Sequence, residues 1–458
     1  MEQFEIINPA DETVIERYTP MGRVDVNSKI KRLYRSNIYW RGLKPHSRIK
    51  LFEAFKENLK KDRESLAKSS TMEVGKPLKE SLSEVDKCIN IIDFYIKNGE
   101  EMLHSLVTTS DAEHTEILHD PLGVIGAIMP FNFPYSQIVR MMIPTMLVGN
   151  SVIFKPSRQV TGSGLSLTMN VKDIFVLADN FDIVVGGSET ANHVIDSPLV
   201  EGIAFTGSKE TGAKIASRAT KTLKKCCLEL GGSDPFMVLG DADIDKAVEG
   251  AVRGRFINCG QSCTASKRFL VAKSVYKEFI EKFIQKVEKL RVGDPMDENT
   301  DIGPLVCKEA LNTIEQWVHQ AKMLGVTIST GGNRIGGKGF FFQPTIIEAV
   351  DPSMFIWKKE TFGPVAPVVA FHDGEEVGVI EDVINTSRFG LGASIWTEDT
   401  QKGYGLGRLI QSGAITVNNV VRSDPRIPSG GIKDSGFGRE LGDYGVYEFS
   451  NVKTIRLY

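Results

Sequence analysis

The stretch from Ile257 to Phe269 reads INCGQSCTASKRF, and it sets Cys263 among residues that pack nothing obvious. Gly260 frees the backbone, while Gln261, Ser262 and Thr264 are polar. Neither a core strand nor an amphipathic helix has this composition. A thiol in a small, polar setting can meet a substrate; the competing reading is a buried structural cysteine. Three further stretches put chemically able side chains at the ends of apolar runs. PFNFP (130–134) carries Asn132, FKPS (154–157) carries Lys155, and LELGG (228–232) carries Glu229 just before two glycines. Open α/β sheets bind ligands at the carboxyl ends of their strands. Taken singly, a strand-end Lys or Asn is as readily just solvated, and the Glu before GG as readily a turn residue.

These side chains need a frame, and the apolar pattern supplies one. GVIGAIMP (123–130), SVIFKP (151–156), DIVVGG (182–187) and GIAFTGS (202–208) are short, rich in Val and Ile, and end in Gly, Pro or Ser. Continuous apolar strands bounded by turns suit a parallel sheet buried on both faces. Helix-length segments such as 135–149 lie between them, so the pattern is βαβ and predicts a doubly wound domain. A second block opens at DPFMVL (234–239). Asp241 and Asp243 signal a helix start, and Ile244, Ala247, Val248, Ala251 and Val252 share its face, so Cys263 falls in a loop just beyond a helix. Tyr276, Phe279, Ile280, Phe283, Ile284, Val287 and Leu290 follow a helical period and read as core. The Gly-rich GGNRIGGKGFFFQP (331–344) reads as turns joining strands.

With 458 residues, 41% hydrophobic and 25% charged, the chain is long enough for two or three domains with real cores. A net charge of −3 offers no basic field for nucleic acid or an anionic membrane. The opening MEQFEIINPADETV lacks the apolar stretch of a signal peptide, and no apolar run is long enough to span a bilayer. Six cysteines without CxxC spacing and seven scattered histidines predict a reduced, cytoplasmic protein with no metal.

The four stretches, in this order, resemble the aldehyde dehydrogenase superfamily. The likeness runs from INPA (7–10) through FTGS (205–208), ELGG, GQSC, ETFGPV (360–365) and SGGIKDSGFGRE (429–440) to FGRELGDYGVYEFSNVKTI (437–455). LKKCCLELGGSDPFMVLGDAD (223–243) is most similar to the short bacterial-type succinate-semialdehyde dehydrogenases. The resemblance implies an α/β fold with a Rossmann-like cofactor domain (1–106 and 124–231), an α/β catalytic domain (232–440) and a β-hairpin oligomerisation arm (107–123 and 441–458). A homodimer or homotetramer follows, with a small aldehyde as its only other partner.

It also implies roles. Cys263 would attack the aldehyde, because a carbonyl cannot release hydride until a nucleophile makes it tetrahedral. The Asn132 amide and the Cys263 N–H would hold the oxyanion. Glu229 would activate the water that hydrolyses the thioester. Lys155 joins both the catalytic and cofactor sets. NADP, with NAD possible, would lie against Pro130, Phe131, Ser157, Arg158, Gly207, Ser208, Leu230, Gly231 and Phe362, with Glu360 on the nicotinamide ribose. Cys259 is core packing or, alternatively, a disulfide partner for Cys263. NAD-preferring relatives often carry a glutamate three residues after the strand-end lysine; Arg158 stands here and either binds a 2′-phosphate or faces solvent. Arg140, eight residues after Asn132, either binds the far carboxylate of succinate semialdehyde or pairs with an acid at the domain boundary. Lactaldehyde and glyceraldehyde are the next substrates in line, transfer to coenzyme A a further chemistry, and an inactive binding protein the rival of another class. Two departures bear on pocket shape: Phe131 where the family commonly has Trp, and Ser429 where it often has Phe.

Overall fold

The computed structural model describes residues 2–174 and 176–458. Its first sheet has six strands in the spatial order Gly436–Phe437, Lys225–Glu229, Val200–Thr206, Val124–Ile128, Ser151–Lys155 and Phe181–Ile183. The last five run parallel, and the short Gly436–Phe437 strand is antiparallel to its neighbour. Every residue of Val124–Ile128 and Ser151–Lys155 is buried, as continuous apolar runs require when helices cover both faces. On one face Val26, Ile30, Val194 and Ile215 pack against Ile153 and Ile203. On the other, Phe52, Ile92, Met142 and Leu167 pack against Val152 and Phe154. The strand order reverses between Val124–Ile128 and Val200–Thr206, and their carboxyl ends open a crevice there.

The second sheet has seven strands, centred on Val365–Phe371, Ser266–Ala272 and Asp234–Val238. Its pairings are parallel except at Thr327–Thr330, which runs antiparallel to Thr345–Glu348 across the Gly-rich 331–344 connection. Phe236, Phe269, Phe283 and Trp396 form its aromatic core. A third, antiparallel sheet joins Leu106–Thr108, His114–Pro121 and Ser450–Leu457. The chain visits the first sheet again at Gly436–Phe437, and helix Gly442–Glu448 buries Val446 in that domain's core, so only the final strand of the C-terminal segment joins the three-stranded sheet. The strand observed in the expected 182–187 run is Phe181–Ile183, shorter than the apolar pattern, and Gly186 beyond it takes φ +149°. No helix among the described residues is long and apolar enough to cross a membrane.

Candidate active site

Helix Ile244–Phe256 is N-capped by Asp243, whose side chain accepts the Lys246 N–H at 3.1 Å. Beyond its end Asn258, Cys259 and Gly260 all take left-handed conformations, with φ of 48°, 54° and 73°. Such a run is costly unless its surroundings over-determine it. A side chain at Gly260 would come 2.3 Å from the Gly363 carbonyl, so only glycine fits. Arg255, fully buried, donates to the carbonyls of Ser266 at 3.1 Å and Thr361 at 2.9 Å. The Gln261 side chain accepts the Val306 N–H at 2.9 Å. These bonds fix the loop that presents the half-buried Cys263 before strand Ser266–Ala272 begins. Cys259 is buried in the core of the second domain, and all six cysteines are free.

Asn132 sits against this loop. Its Nδ2 donates to the Gln261 carbonyl at 3.0 Å, and Asn258 Nδ2 donates to the Asn132 carbonyl at 2.9 Å. Among the described residues the Cys263 N–H has no intrachain acceptor. Burial pushes that thiol up to about 11, opposed by the positive charges of Lys267 and Arg140. Lys267 was not foreseen. Its buried ammonium donates to the Ser262 and Cys263 carbonyls at 2.8 and 2.7 Å and lies 3.4 Å from Glu360 Oε1. Glu360 also accepts the Gly232 N–H at 3.1 Å, and a Cβ at Gly231 would stand 2.1 Å from its other oxygen. The glycines of ELGG therefore admit the Glu360 carboxylate beside the thiol loop.

Glu229 ends its strand with Oε1 buried and unpartnered among the described residues. Burial raises its carboxyl to about 8, Arg140 pulling it down and Glu440 pushing it up. Helix Ser136–Leu147 is wholly buried, and Glu84 accepts the N–H groups of Tyr135 and Ser136 at its start, at 2.9 and 2.8 Å. The cation within it, Arg140, bonds through Nε to Glu440. Its two terminal nitrogens point to the Ser423 and Ser429 hydroxyls at 3.3 Å each, and one lies 3.8 Å from Glu229 Oε2. The pairing expected of Arg140 is present, to Glu440 and beside Glu229. Arg140 also lines a cavity of about 700 Å³ together with Cys263. Ser429, one of the two departures, faces this guanidinium. Phe131, the other, meets Phe362 edge to face with ring centroids 6.1 Å apart.

The remaining expected cofactor residues gather around the crevice of the first sheet. Pro130 and Phe131 follow one strand of the reversal, and Gly207 and Ser208 follow the other. Ser208 caps helix Lys209–Ala219 through the Thr211 N–H at 3.3 Å, and Leu230 packs where Gly212 leaves room. Lys155 is buried without a hydrogen bond or ion pair among the described residues, and burial with nearby Arg158 lowers its ammonium to about 8. Ser157 is bonded to Gln159. Arg158 is exposed, its guanidinium over the Phe4 ring at 5.6 Å and beside Gly187 at the start of helix Ser188–Asp196.

The sequence matches the model of the aldehyde dehydrogenase family over residues 1–455. The chain belongs to that family. Among its relatives are a probable succinate-semialdehyde dehydrogenase [NADP(+)] of Synechocystis, 37% identical over 98% of each chain, and the succinate semialdehyde dehydrogenase [NAD(P)+] Sad of Escherichia coli, 33% identical over 98% of this chain and 96% of the other. The solved succinate-semialdehyde dehydrogenase of Burkholderia pseudomallei superposes with a TM-score of 0.96 at 29% identity, over 99% of this chain and 94% of that one. Within this aldehyde dehydrogenase, reasoning from sequence missed Lys267, Arg255, Ser423 and Glu440. Glu440 closes the FGRE run and Lys267 follows Cys263 by four residues, yet neither position signals its partner. Only the fold does.

Proposed function

We propose that this aldehyde dehydrogenase oxidises succinate semialdehyde to succinate, with NADP⁺ as the preferred acceptor. The observation that carries the substrate is Arg140: a buried guanidinium that lines the same cavity as Cys263, its terminal nitrogens hydrogen-bonded only by the long contacts to Ser423 and Ser429 at 3.3 Å. A charge-assisted contact there is worth about 1.5–3 kcal/mol, enough to favour a carboxylated aldehyde by roughly ten- to a hundredfold. The relatives named for this substrate support the same reading.

The cofactor side fits a phosphorylated dinucleotide. Among the described residues Lys155, a buried residue, makes no hydrogen bond or ion pair and Thr206 Oγ1 is buried without a partner, and the start of helix Lys209–Ala219 opens beside the sheet reversal. Arg158 and the start of helix Ser188–Asp196 form a second positive site, suited to a 2′-phosphate. Lys155, Ser208 and Glu360 would hold the dinucleotide, which when bound accepts hydride from the tetrahedral centre.

On the protein side, Cys263 gives up its thiol proton to solvent water and its sulfur bonds to the aldehyde carbon as the C=O π pair moves onto oxygen. The oxygen takes up negative charge between Asn132 Nδ2 and the Cys263 N–H, in place of solvent. Loss of hydride leaves a thioester on Cys263. Glu229 then takes a proton from water as the water oxygen attacks the carbonyl carbon; the C–S bond breaks, and the proton returns to the sulfur. Coenzyme A transfer has no use for such a base. The free cysteines fit a reducing cytoplasm. Strand Ser450–Leu457, with Val452, Ile455 and Leu457 exposed, fits an arm that pairs with further copies in a homodimer or homotetramer. The experiment is a comparison of succinate semialdehyde with butanal, reading NADPH absorbance. A higher kcat/KM for the semialdehyde that collapses in Arg140→Gln supports the assignment, and equal values in the unmutated enzyme refute it.

A further inference from the structure

Helix Leu78–Asn98 forms one wall of the cavity that contains Cys263 and Arg140, and Glu80, Ser83, Glu84, Lys87 and Ile91 recur on it at three- and four-residue spacing. The acids of this wall are all committed elsewhere. Glu80 accepts the Asn258 N–H at 2.8 Å. Glu84 pairs with Lys76 and caps the helix that carries Arg140. Asp86 holds Arg63 through both oxygens at 2.6 Å. Opposite, Asp424 is taken by Arg426 and Glu440 by Arg140. The cation Lys79 is likewise engaged, with Asp301 at 2.6 Å.

Lys87 is different. It is half-buried on this wall and, among the described residues, makes neither a hydrogen bond nor an ion pair. Burial and the neighbouring Arg140 charge hold its ammonium below the usual lysine range. Lys87 thus lines the same cavity as Arg140, whose own charge faces Glu440 and Glu229, and no carboxylate among the described residues pairs with Lys87 itself. Leaving a charge desolvated and unpaired is costly, and an anion between the two removes both the repulsion and the missing contact.

We infer that Lys87 and Arg140 together receive the far carboxylate of the substrate, which makes Lys87 a specificity-determining residue for short aldehydes with a carboxylate at the other end. The inference rests on the semialdehyde reading above and adds to it a residue on a different helix. Arg140 is anchored by Glu440; Lys87, on the flexible stem of a neighbouring helix, closes on the anion beside it.

The test uses the full-length enzyme with NADP⁺ and measures kcat/KM for succinate semialdehyde and for butanal in the unmutated protein, K87Q, K87R and R140Q. The expected result is a roughly tenfold fall in the semialdehyde-to-butanal ratio in K87Q, carried by KM, and a ratio largely restored in K87R, which keeps the charge. A K87Q ratio equal to the unmutated one, with R140Q impaired, overturns the Lys87 inference and leaves the substrate assignment standing. Equal losses in K87Q and K87R overturn it too, because charge is then not what matters. No preference in the unmutated enzyme overturns both.

Discussion

Replacing Glu229 with glutamine should separate the two halves of the proposed reaction. Glutamine keeps the shape of the side chain, and Arg140 keeps its stronger partner Glu440, so the site should stay assembled. The variant cannot take a proton from water. Loss of a positioned general base costs about 10²–10⁴ in rate, here confined to thioester hydrolysis. The first turnover needs only Cys263, the oxyanion donors and the acceptor, so stopped-flow absorbance should show a burst near one NADPH per site followed by almost none. The unmutated enzyme has its own signature. With the Glu229 carboxyl raised to about 8, roughly a tenth is ionised at pH 7 and half at pH 8, so hydrolysis rises about fivefold over that interval and about twofold more before it levels off above about pH 9. The base works only as the carboxylate, so the rate climbs with pH. Steady turnover of E229Q above a tenth of the unmutated rate, or the absence of a burst, would refute the assignment.

Two further substitutions probe the other roles. Asn132→Ala removes one oxyanion donor and should lower kcat by about 10²–10³, while alkylation of Cys263 by iodoacetamide continues; a change below threefold would count against the donor. Arg158→Glu should weaken NADP⁺ binding by roughly ten- to a hundredfold and improve NAD⁺, read from the KM of each cofactor, and an unchanged preference would place the 2′-phosphate elsewhere.

The parallel strands were legible because burial on both faces leaves an unbroken apolar run, and the helices between them because their apolar residues repeat at 3.6. The Cys263 loop was legible through its glycine and polar neighbours. What escaped was whatever depends on long-range convergence. Arg140 and Glu440 meet across 300 positions, and nothing local to either names the other. Lys267 reads as an ordinary strand residue until the fold brings the Glu360 loop to it. The Gly436–Phe437 strand was missed for a related reason: two residues carry no period, and only pairing with Leu228 and Glu229 makes them a strand. Lys87 sits in a helix whose polar positions look solvated until Cys263 and Arg140 complete the cavity around it.

The central claim is that succinate semialdehyde becomes a thioester on Cys263, and it can be weighed directly. E229Q mixed with NADP⁺ and succinate semialdehyde, quenched in acid after the burst and digested, should yield a peptide with one succinyl group on Cys263 in an amount matching the NADPH formed. NADPH formation with Cys263 unmodified, or with the acyl group on Cys259, would contradict the account.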